Sequence, residues 1–335
     1  MFKFKNLFAC ALIGITSAWG SASSAEPLKI RGAWVVPVTN IGTMFLANPD
    51  ILKHSGKSYV FEPTRYAGTP LMVTAMVTGD LDVGLFAYQS LHLALNAGMG
   101  DIKIIAEELR DGVPGYFSNQ FVVRADSGIN TPAGLKGKVI ATNAIGSGAD
   151  VAMRAGLRKA GLDDKKDVNI IEAAFPTMKA LLLEKKADMV TAVLPFSEDP
   201  ELKKIGKVLY TEGDAIGPNT LGLWVVRGEY LKKHRAALVD FMEDYLRVMR
   251  FYTDPANHQK VVEIAAKLTK RPPAAFDWAF TKKDYYRDPQ GHVDVAALQS
   301  NIDTTHRLGF LPASFDVKKY VDMSLLNEAS KRIGK

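Results

Sequence analysis

The chain has 335 residues, of which 47% are hydrophobic, and it carries 42 Lys and Arg against 36 Asp and Glu. The resulting net charge of +6 is spread along the sequence without a run of five like charges, which argues against nucleic acid as a partner. The only cysteine is Cys10, so the chain beyond it has no disulfide and no thiolate for catalysis or metal binding.

Residues 1–25 have the pattern of a secretory signal peptide. A short positively charged start precedes an apolar run from Leu7 to Trp19, and Ser23 and Ala25 stand where a signal peptidase selects small residues. We expect cleavage after Ala25, which leaves about 310 residues, enough for two domains. An uncleaved anchor is the alternative, but the run is short and interrupted by small residues. The mature protein is therefore expected in the periplasm of a Gram-negative host.

Strands and helices alternate at the start of the mature chain. Thr69 is expected to cap the helix that it opens, with Pro70 in the first helical position, and Gly79 ends that helix. This alternation predicts a mainly parallel sheet covered by helices on both faces. The predicted elements are strands Leu28–Val36, Lys57–Glu62, Leu81–Phe86 and Ile102–Ala106, with helices over Ile41–His54 (interrupted at Pro49), from Thr69, and over Ser90–Asn96.

A second unit repeats this pattern, and the chain then returns to the first. The pattern breaks near Asn119–Arg124 and near Asn219–Val226, which predicts two crossings that form a hinge. The cleft between the units is where carboxyl ends of strands meet helix amino termini, and open α/β sheets bind ligands there. The predicted elements are strands Phe121–Arg124, Lys138–Thr142, Val168–Glu172, Met189–Val193 and Leu221–Val226, with helices Gly148–Ala160 and Met178–Lys186.

The last third of the chain is predicted to be helical and to pack on the first unit, around the back of the molecule. One helix has an apolar stripe that is typical of a buried face rather than of a cofactor site. The stripe consists of Leu238, Phe241, Met242, Tyr245, Leu246 and Met249, and the later helices are predicted at Pro255–Leu268, Pro273–Phe280, Val295–Leu308 and Val317–Ile333.

Two stretches resemble a known protein family. In Ala67–Gly84 a turn and a helix lead through a Gly-Asp-x-Asp step into a strand, and in Asp126–Gly161 a Leu-Lys-Gly-Lys turn leads to a strand, a Gly-Ser loop and a helix ending in Lys-Ala-Gly. This combination is similar to the periplasmic solute-binding proteins of ABC importers, of the nitrate, sulfonate and taurine type. The resemblance runs from about Leu28 to Pro195, with looser similarity through the helical tail.

The resemblance implies an α/β protein with the type II periplasmic-binding-protein fold, in which two α/β lobes close on a ligand around a hinge cleft. It places the first lobe at residues 26–122 and 224–335, including the C-terminal helices, and the second lobe at residues 123–223. By position, the family's ligand loops correspond to Val36–Gly42, Tyr66–Pro70, Ala87–Ser90, Asn143–Ser147, Phe175–Thr177 and Pro195–Ser197.

Residues in and beside these loops are the candidate ligand contacts. The hydroxyls of Thr69 and Ser147 can assist helix amides in binding an anion, or can only cap their helices. Asn143 can bind across the cleft or serve only as a turn residue. The aromatic candidates can form a ligand wall or belong to the core. The full set is Trp34, Thr39, Asn40, Gly68, Thr69, Tyr88, Gln89, Ser90, Asn143, Ser147, Phe175 and Phe196.

No catalytic residue, metal site or cofactor is predicted. The six histidines show no metal-ligand spacing, and the sequence has no G-x-S-x-G elbow and no P-loop.

The resemblance implies that a cytoplasmic ATPase supplies the energy for transport. The chain is then a monomeric binding subunit that delivers its solute to a permease in the inner membrane.

The expected ligand is a small organic anion, either a sulfonate or a carboxylate. Two departures from the sulfonate-binding pattern leave this choice open. Val193-Leu194-Pro195 replaces a Trp-Asp-Pro step, and Lys186-Ala187-Asp188 lacks an expected glycine. The alternatives are a pyrimidine-precursor binding protein or synthase of the same fold, although its cysteine-rich motif is absent, and a sensor that reports the ligand without transporting it.

Overall fold

A computed structural model describes residues 26–334 of the chain. The predicted signal peptide, residues 1–25, lies outside the described residues. Ten strands form two separate five-stranded sheets. In chain order they are β1 Leu28–Trp34, β2 Tyr59–Arg65, β3 Val83–Phe86, β4 Ile102–Asp111, β5 Gln120–Arg124, β6 Val139–Thr142, β7 Asn169–Glu172, β8 Met189–Ala192, β9 Gly206–Thr211 and β10 Asn219–Arg227.

The two sheets have the same topology. The first is ordered β2-β1-β3-β10-β4 and the second β7-β6-β8-β5-β9. In each, four strands share one direction, and the strand that enters from the other sheet runs opposite to its two neighbours. These sheets define the first and second lobes and confirm the mainly parallel, two-lobed α/β architecture expected from the sequence.

Helices cover the sheets and form the tail. No helix within residues 26–334 has the length and apolar character needed to cross a bilayer. The α-helices are α1 Ile41–Phe45, α2 Thr69–Val77, α3 Tyr88–Asn96, α4 Gly148–Lys159, α5 Met178–Leu183, α6 Pro200–Ile205, α7 Glu212–Ile216, α8 Gly228–Lys233, α9 Arg235–Thr253, α10 His258–Thr269, α11 Val295–Arg307 and α12 Ser324–Ile333.

The tail packs on the first lobe, as expected, but it is less regular than the sequence predicts. The expected helix at Pro273–Phe280 is only a 3₁₀ turn over Pro273–Phe276. The one expected at Val317–Ile333 is divided into a 3₁₀ turn over Val317–Tyr320 and α12, with an extended residue, Val321, between them. The predicted apolar stripe of α9 is buried in the core of the first lobe. Between the tail helices an extended segment lies along β4, where the amide of Arg110 donates to the Tyr286 carbonyl at 2.9 Å.

Two chain segments join the lobes. The first, residues 112–119, follows β4, and the second, residues 212–218, precedes β10. They touch at two glycines, since a Cβ on Gly213 would lie 3.0 Å from the Gly112 Cα, and Gly112 has a φ of +67°. The crossings thus lie next to the positions expected from the sequence, and their close backbone contact suits a hinge.

The core of the first lobe is built around Trp224, which is 1% exposed. Its ring contacts those of Phe61, Phe241 and Tyr245 at centroid distances of 5.9, 5.6 and 5.5 Å. The indole Nε1 donates to the Oε2 of the fully buried Glu108 at 2.9 Å. Trp224, on strand β10, therefore combines aromatic packing with a hydrogen bond to a buried carboxylate.

We expect Trp224→Phe to lower the free energy of unfolding by about 2 kcal/mol, because it keeps an aromatic ring but leaves a buried Glu108 oxygen without its donor. Denaturant unfolding of the mature chain measures this. Trp278→Phe is the matched control, since the Trp278 indole donates to a neutral carbonyl, that of Ala275, at 2.9 Å. If both variants lose the same free energy of unfolding, the hydrogen bond to Glu108 stabilises the protein no more than one to a neutral carbonyl.

Candidate ligand-binding site

A cavity of about 70 Å³ lies between the two lobes. This is several times the roughly 10–15 Å³ that one water molecule needs. Strand ends and helix starts of both lobes form its wall, together with one residue of the tail. The lining residues are Val35, Val36, Thr39, Asn40, Gly68, Thr69, Leu85, Ala87, Leu109, Asn119, Asn143, Ser147, Gly148, Ala149, Phe175, Val193, Leu221 and Tyr285.

Hydrogen bonds between the lobes close the cavity. Thr39 Oγ1 donates to the Leu194 carbonyl at 3.0 Å, and Asn143 Nδ2 donates to the Ala67 carbonyl at 2.9 Å. Gln89 Nε2 lies 3.4 Å from the Gly146 carbonyl, which makes a third and longer contact. Each joins a residue of the first lobe to one of the second, so the structure shows the lobes closed on each other.

Two glycines permit this close approach. A Cβ on Gly68 would lie 2.7 Å from the Ala144 Cβ, and a Cβ on Gly148 would lie 2.9 Å from Leu221 Cδ1. Both distances are shorter than a normal contact and both join opposite lobes. Gly68 has the stricter requirement, because the Ala144 Cβ cannot rotate aside, whereas the Leu221 side chain next to Gly148 can.

Three helix amino termini meet at the cavity. Helix α2 begins beside Gly68, α3 beside Ala87 and α4 beside Ser147, and all three of these residues line the wall. The first amides of a helix have no partner within the helix and carry partial positive charge, so they favour anionic or hydrogen-bond-accepting groups. The wall therefore offers backbone donors from both lobes.

The two candidate hydroxyls differ in their roles. Ser147 Oγ accepts from the Asp150 amide at 3.2 Å, which confirms the predicted cap of α4. The prediction that Thr69 caps its helix is wrong, because α2 begins at Thr69 and its N-cap is Gly68, without a side-chain cap. Thr69 Oγ1 instead accepts from Ser90 Oγ at 2.9 Å. Thr69 also lines the cavity.

The loop after β1 is held in a strained shape. Val38 has a φ of +67°, a conformation that costs a β-branched residue on the order of 1–3 kcal/mol. Asn40 fixes this loop, because its Oδ1 accepts from the amides of Val35 and Val36, both at 2.8 Å. Asn40 lines the cavity, but its hydrogen bonds serve the loop. The neighbouring Thr39 is the residue that reaches the other lobe.

The structure brings some candidate contacts onto the cavity wall and leaves others behind it. Tyr88 and Ser90 are buried within the first lobe, and Gln89 faces a neighbouring groove. Trp34 is half-buried, and the Arg65 guanidinium lies over its ring, 5.9 Å from the ring centroid. Phe196 packs against Phe175 at 6.4 Å and lines an outer groove. The candidates on the wall are Thr39, Asn40, Gly68, Thr69, Asn143, Ser147 and Phe175.

Sequence reasoning missed several residues that line the cavity. Leu109 and Leu221 come from β4 and β10, inside strands whose sequence marks them only as apolar. Asn119 ends the first crossing, next to the predicted hinge. Its position beside the hinge could have indicated that it lies near the cleft. Tyr285 comes from the extended segment of the tail, which no sequence pattern connects with the cleft.

The described part of the wall carries no charged side chain. Two arginines that could have met an anion are engaged elsewhere. Arg110 pairs with Glu107 and with Asp294, the latter at 3.0 Å, and Arg65 covers Trp34. Any negative charge of a ligand would thus be met by amides and hydroxyls rather than by a cation.

Two buried acids lie behind Asn119, which lines the cavity. Asp111 Oδ2 accepts from the Asn119 amide at 2.7 Å, and Glu212 Oε2 accepts from Asn119 Nδ2 at 2.8 Å. Both carboxyls are fully buried. Burial raises the pKa of Asp111 to about 7, and burial together with the charge of Asp111 raises the pKa of Glu212 well above its usual value.

The contacts of Glu212 indicate where a proton resides. Glu212 Oε1 and Asn219 Oδ1 are both buried acceptors without a donor among the described residues. The two side chains are within hydrogen-bonding reach of each other. A protonated Glu212 carboxyl would donate to Asn219 and satisfy both atoms. Asn119 thus joins the wall of the cavity to a buried pair of acids at the hinge.

One further cluster has the composition of a metal site. His54, Asp240 and Glu243 bring potential ligand atoms within 4.8 Å of one another on the first lobe. Both acids are already paired, Glu243 with Arg247 and Asp240 with Arg332, each at 2.8 Å. The two arginines neutralise the carboxylate charge that would attract a metal ion. The cluster is therefore best described as an ion-pair network.

Solved structures share this fold. The alkanesulfonate-binding protein SsuA from Xanthomonas axonopodis pv. citri, bound to MOPS, is 18% identical, with a TM-score of 0.70 over 89% of this chain and 99% of its own. The periplasmic nitrate-binding protein NrtA from Synechocystis PCC 6803 is 14% identical, with a TM-score of 0.69 over 92% and 89%. The desulfurization enzyme DSZB is 14% identical, with a TM-score of 0.64 over 92% and 100%.

These likenesses confirm the type II periplasmic-binding-protein fold. No curated protein sequence matches the chain. A model of the NMT1-like family matches residues 23–266, which is most of the chain. The chain therefore belongs to the NMT1-like family.

Proposed function

We propose that this protein is the solute-binding subunit of an ABC importer. It captures a small organic anion between its lobes and delivers it to a permease in the inner membrane. The observation that carries the proposal is the cavity enclosed by both lobes, where three helix amino termini meet. Closure around the solute creates the shape that a permease can recognise.

The likeness to SsuA and NrtA supports binding as the role, since their names describe a sulfonate-binding and a nitrate-binding protein. DSZB has the same fold and is an enzyme, so the fold alone does not decide between binding and catalysis. The wall of this cavity favours binding without chemistry. Ser147, its candidate nucleophile, has Asn143 as its hydrogen-bond acceptor at 2.9 Å rather than a base.

The proposed location is the periplasm, after cleavage of the leader at Ala25. The protein acts there as a monomer, and no cofactor takes part. The location rests on the sequence of the first 25 residues, and the other two proposals rest on the resemblance to importer subunits. The chain from Glu26 onward is thus the form to produce for solution experiments.

A thermal-shift screen tests the proposal. Sulfonates, carboxylates, nitrate and pyrimidines are added to the chain beginning at Glu26, and each solute is recovered afterwards by mass spectrometry. A true ligand at a hundredfold excess over its Kd should stabilise the protein by about 2.7 kcal/mol and be recovered unchanged. Conversion of the solute would show an enzyme instead, and a shift with pyrimidines alone would favour the precursor-binding branch.

A further inference from the structure

A buried arginine of the tail lies directly behind the cavity wall. Arg287 follows the extended segment that lies along β4, and its side chain is only 2% exposed. Two residues earlier, Tyr285 lines the cavity and donates its hydroxyl to Asn119 Oδ1 at 2.6 Å. Arg287 Nη2 donates to the carbonyl of Thr39, another lining residue, at 2.7 Å. The tail thus brings a buried cation onto the loop that follows β1.

The contacts of this guanidinium differ from those of an ion pair that only stabilises a fold. Nη1 pairs with Asp284 Oδ2 at 2.8 Å, and Asp284 is fully buried. Arginine pairs most strongly when two of its N–H groups bind one carboxylate, but here Nη2 binds Thr39, and Nε has no partner among residues 26–334. Replacing a buried pair by apolar side chains of similar volume is often neutral for stability. The position of Arg287 is therefore better explained by the loop that it contacts.

This loop does not keep its shape by local preference. The positive φ of Val38, +67°, is unfavourable for a β-branched residue. In this conformation, however, Thr39 Oγ1 reaches the Leu194 carbonyl of the second lobe, at 3.0 Å. The surrounding side chains must therefore supply the free energy that the strained conformation costs.

Two buried ionisable side chains bind the loop, one at its donors and one at a carbonyl. Glu108 Oε1, on β4, accepts from the Ile41 amide at 3.0 Å and from Asn40 Nδ2 at 3.3 Å. Arg287 donates to the carbonyl of the preceding residue, Thr39. A hydrogen bond from a charged donor is stronger than one between neutral groups. The sheet and the tail together thus hold three consecutive residues of the loop.

We propose that Arg287 is a positioning residue of the binding site, which keeps the loop Val35–Ile41 in the shape from which Thr39 contacts the second lobe. This inference rests on the proposed function and assigns a part in it to the tail. Without Arg287 the loop would relax, and binding would have to restore its shape. The apparent affinity would then fall in proportion to the fraction of molecules that hold the competent shape.

The Arg287→Lys variant tests the proposal without any ligand. Lysine keeps a positive charge beside Asp284, but one ammonium cannot reproduce the planar fork that reaches both Asp284 and Thr39. Hydrogen exchange is followed by mass spectrometry on the chain beginning at Glu26. Residues 35–41 should exchange at least about tenfold faster in the variant, while the strands of the first lobe remain unchanged.

Arg110→Lys is the matched control. Arg110 is also largely buried and lies over the ring of Tyr286 in the same tail segment, at 5.2 Å, but its ion pairs are with Glu107 and Asp294. This variant should leave the exchange of residues 35–41 as it is in the unmodified protein. Equal exchange in all three proteins overturns the inference. Faster exchange spread evenly over the first lobe also overturns it, because that result indicates a general structural role.

A double-mutant cycle with Thr39→Val shows whether Arg287 acts on binding through Thr39. Valine removes the hydroxyl that donates to Leu194. Calorimetric titration uses whichever of 1-propanesulfonate, pentanoate and nitrate binds the unmodified protein most tightly. Arg287→Lys should weaken this binding at least about tenfold, but less than about threefold when Thr39→Val is already present. Equal losses in both backgrounds contradict action through Thr39.

The two measurements separate this inference from the proposed function. Failure of all three probes to bind would count against the proposed ligand class. The exchange of residues 35–41 decides independently whether Arg287 holds the loop. Unchanged exchange in Arg287→Lys would overturn the inference even if a probe binds and the proposed function stands.

Discussion

Replacing Gly68 by valine should strongly weaken solute binding while each lobe remains folded. The backbone at Gly68 is extended, with a φ of −173°, so valine fits it without strain. In the closed form, however, its Cβ would lie 2.7 Å from the Ala144 Cβ and 3.1 Å from Asn143 Nδ2. Ala144 has no rotatable side chain that could move aside, so the second lobe itself would have to retreat.

The expected loss of affinity is about 100-fold, which corresponds to the upper part of the 1–3 kcal/mol range of overpacking costs. Titration of the best ligand from the thermal-shift screen measures it. Gly100→Ala is the matched control, because a Cβ there has no atom within 4 Å. Unchanged affinity in the Gly68 variant would mean that binding does not require the lobes to meet at this point.

The stability of the protein should fall between pH 4 and pH 7 because of Asp111. Burial raises the pKa of this carboxyl from 3.8 to about 7, so in this interval the folded state holds a proton that the unfolded chain has lost. Stability must then decrease as the pH rises, and the loss is complete above the folded-state pKa. For a shift of this size it amounts to about 4 kcal/mol.

Asp111→Asn should flatten this part of the stability profile. Denaturant unfolding at half-unit steps from pH 4 to pH 8 gives the slope, and any constant offset from altered hydrogen bonds with Ser118 does not affect it. The exposed Asp277→Asn variant controls for a loss of charge in general. If Asp111→Asn and the unmodified protein have parallel profiles, the hinge acid is ionised in the folded state throughout this range.

The sequence predicts the lobes well because short buried strands and helix-ending glycines leave strong local patterns. Gly79 and Gly98, for example, both follow helix ends and have positive φ. The segment from Pro200 to Ile216 was not predicted, since α6, β9 and α7 are only five or six residues long. Strand β9 depends on pairing with β5 rather than on local preference.

The cavity is predictable only in part, for a geometric reason. Thr39, Asn143 and Ser147 follow strands whose carboxyl ends face the cleft, so alternation alone indicates them. Tyr285 reaches the cavity because the tail lies along β4, and that contact joins residues far apart in the sequence. The raised pKa of Glu212 likewise depends on burial and on the charge of Asp111, which only the folded chain brings beside it.

Closure of two lobes over one solute is the central claim, and an interlobe distance tests it most directly. The chain from Glu26 contains no cysteine, so Thr74→Cys on α2 and Ala180→Cys on α5 accept a single pair of spin labels. Pulsed electron resonance should show a longer or broader distance distribution without solute, and a single shorter distance once the solute is bound. One distribution that stays the same with and without solute would contradict the account.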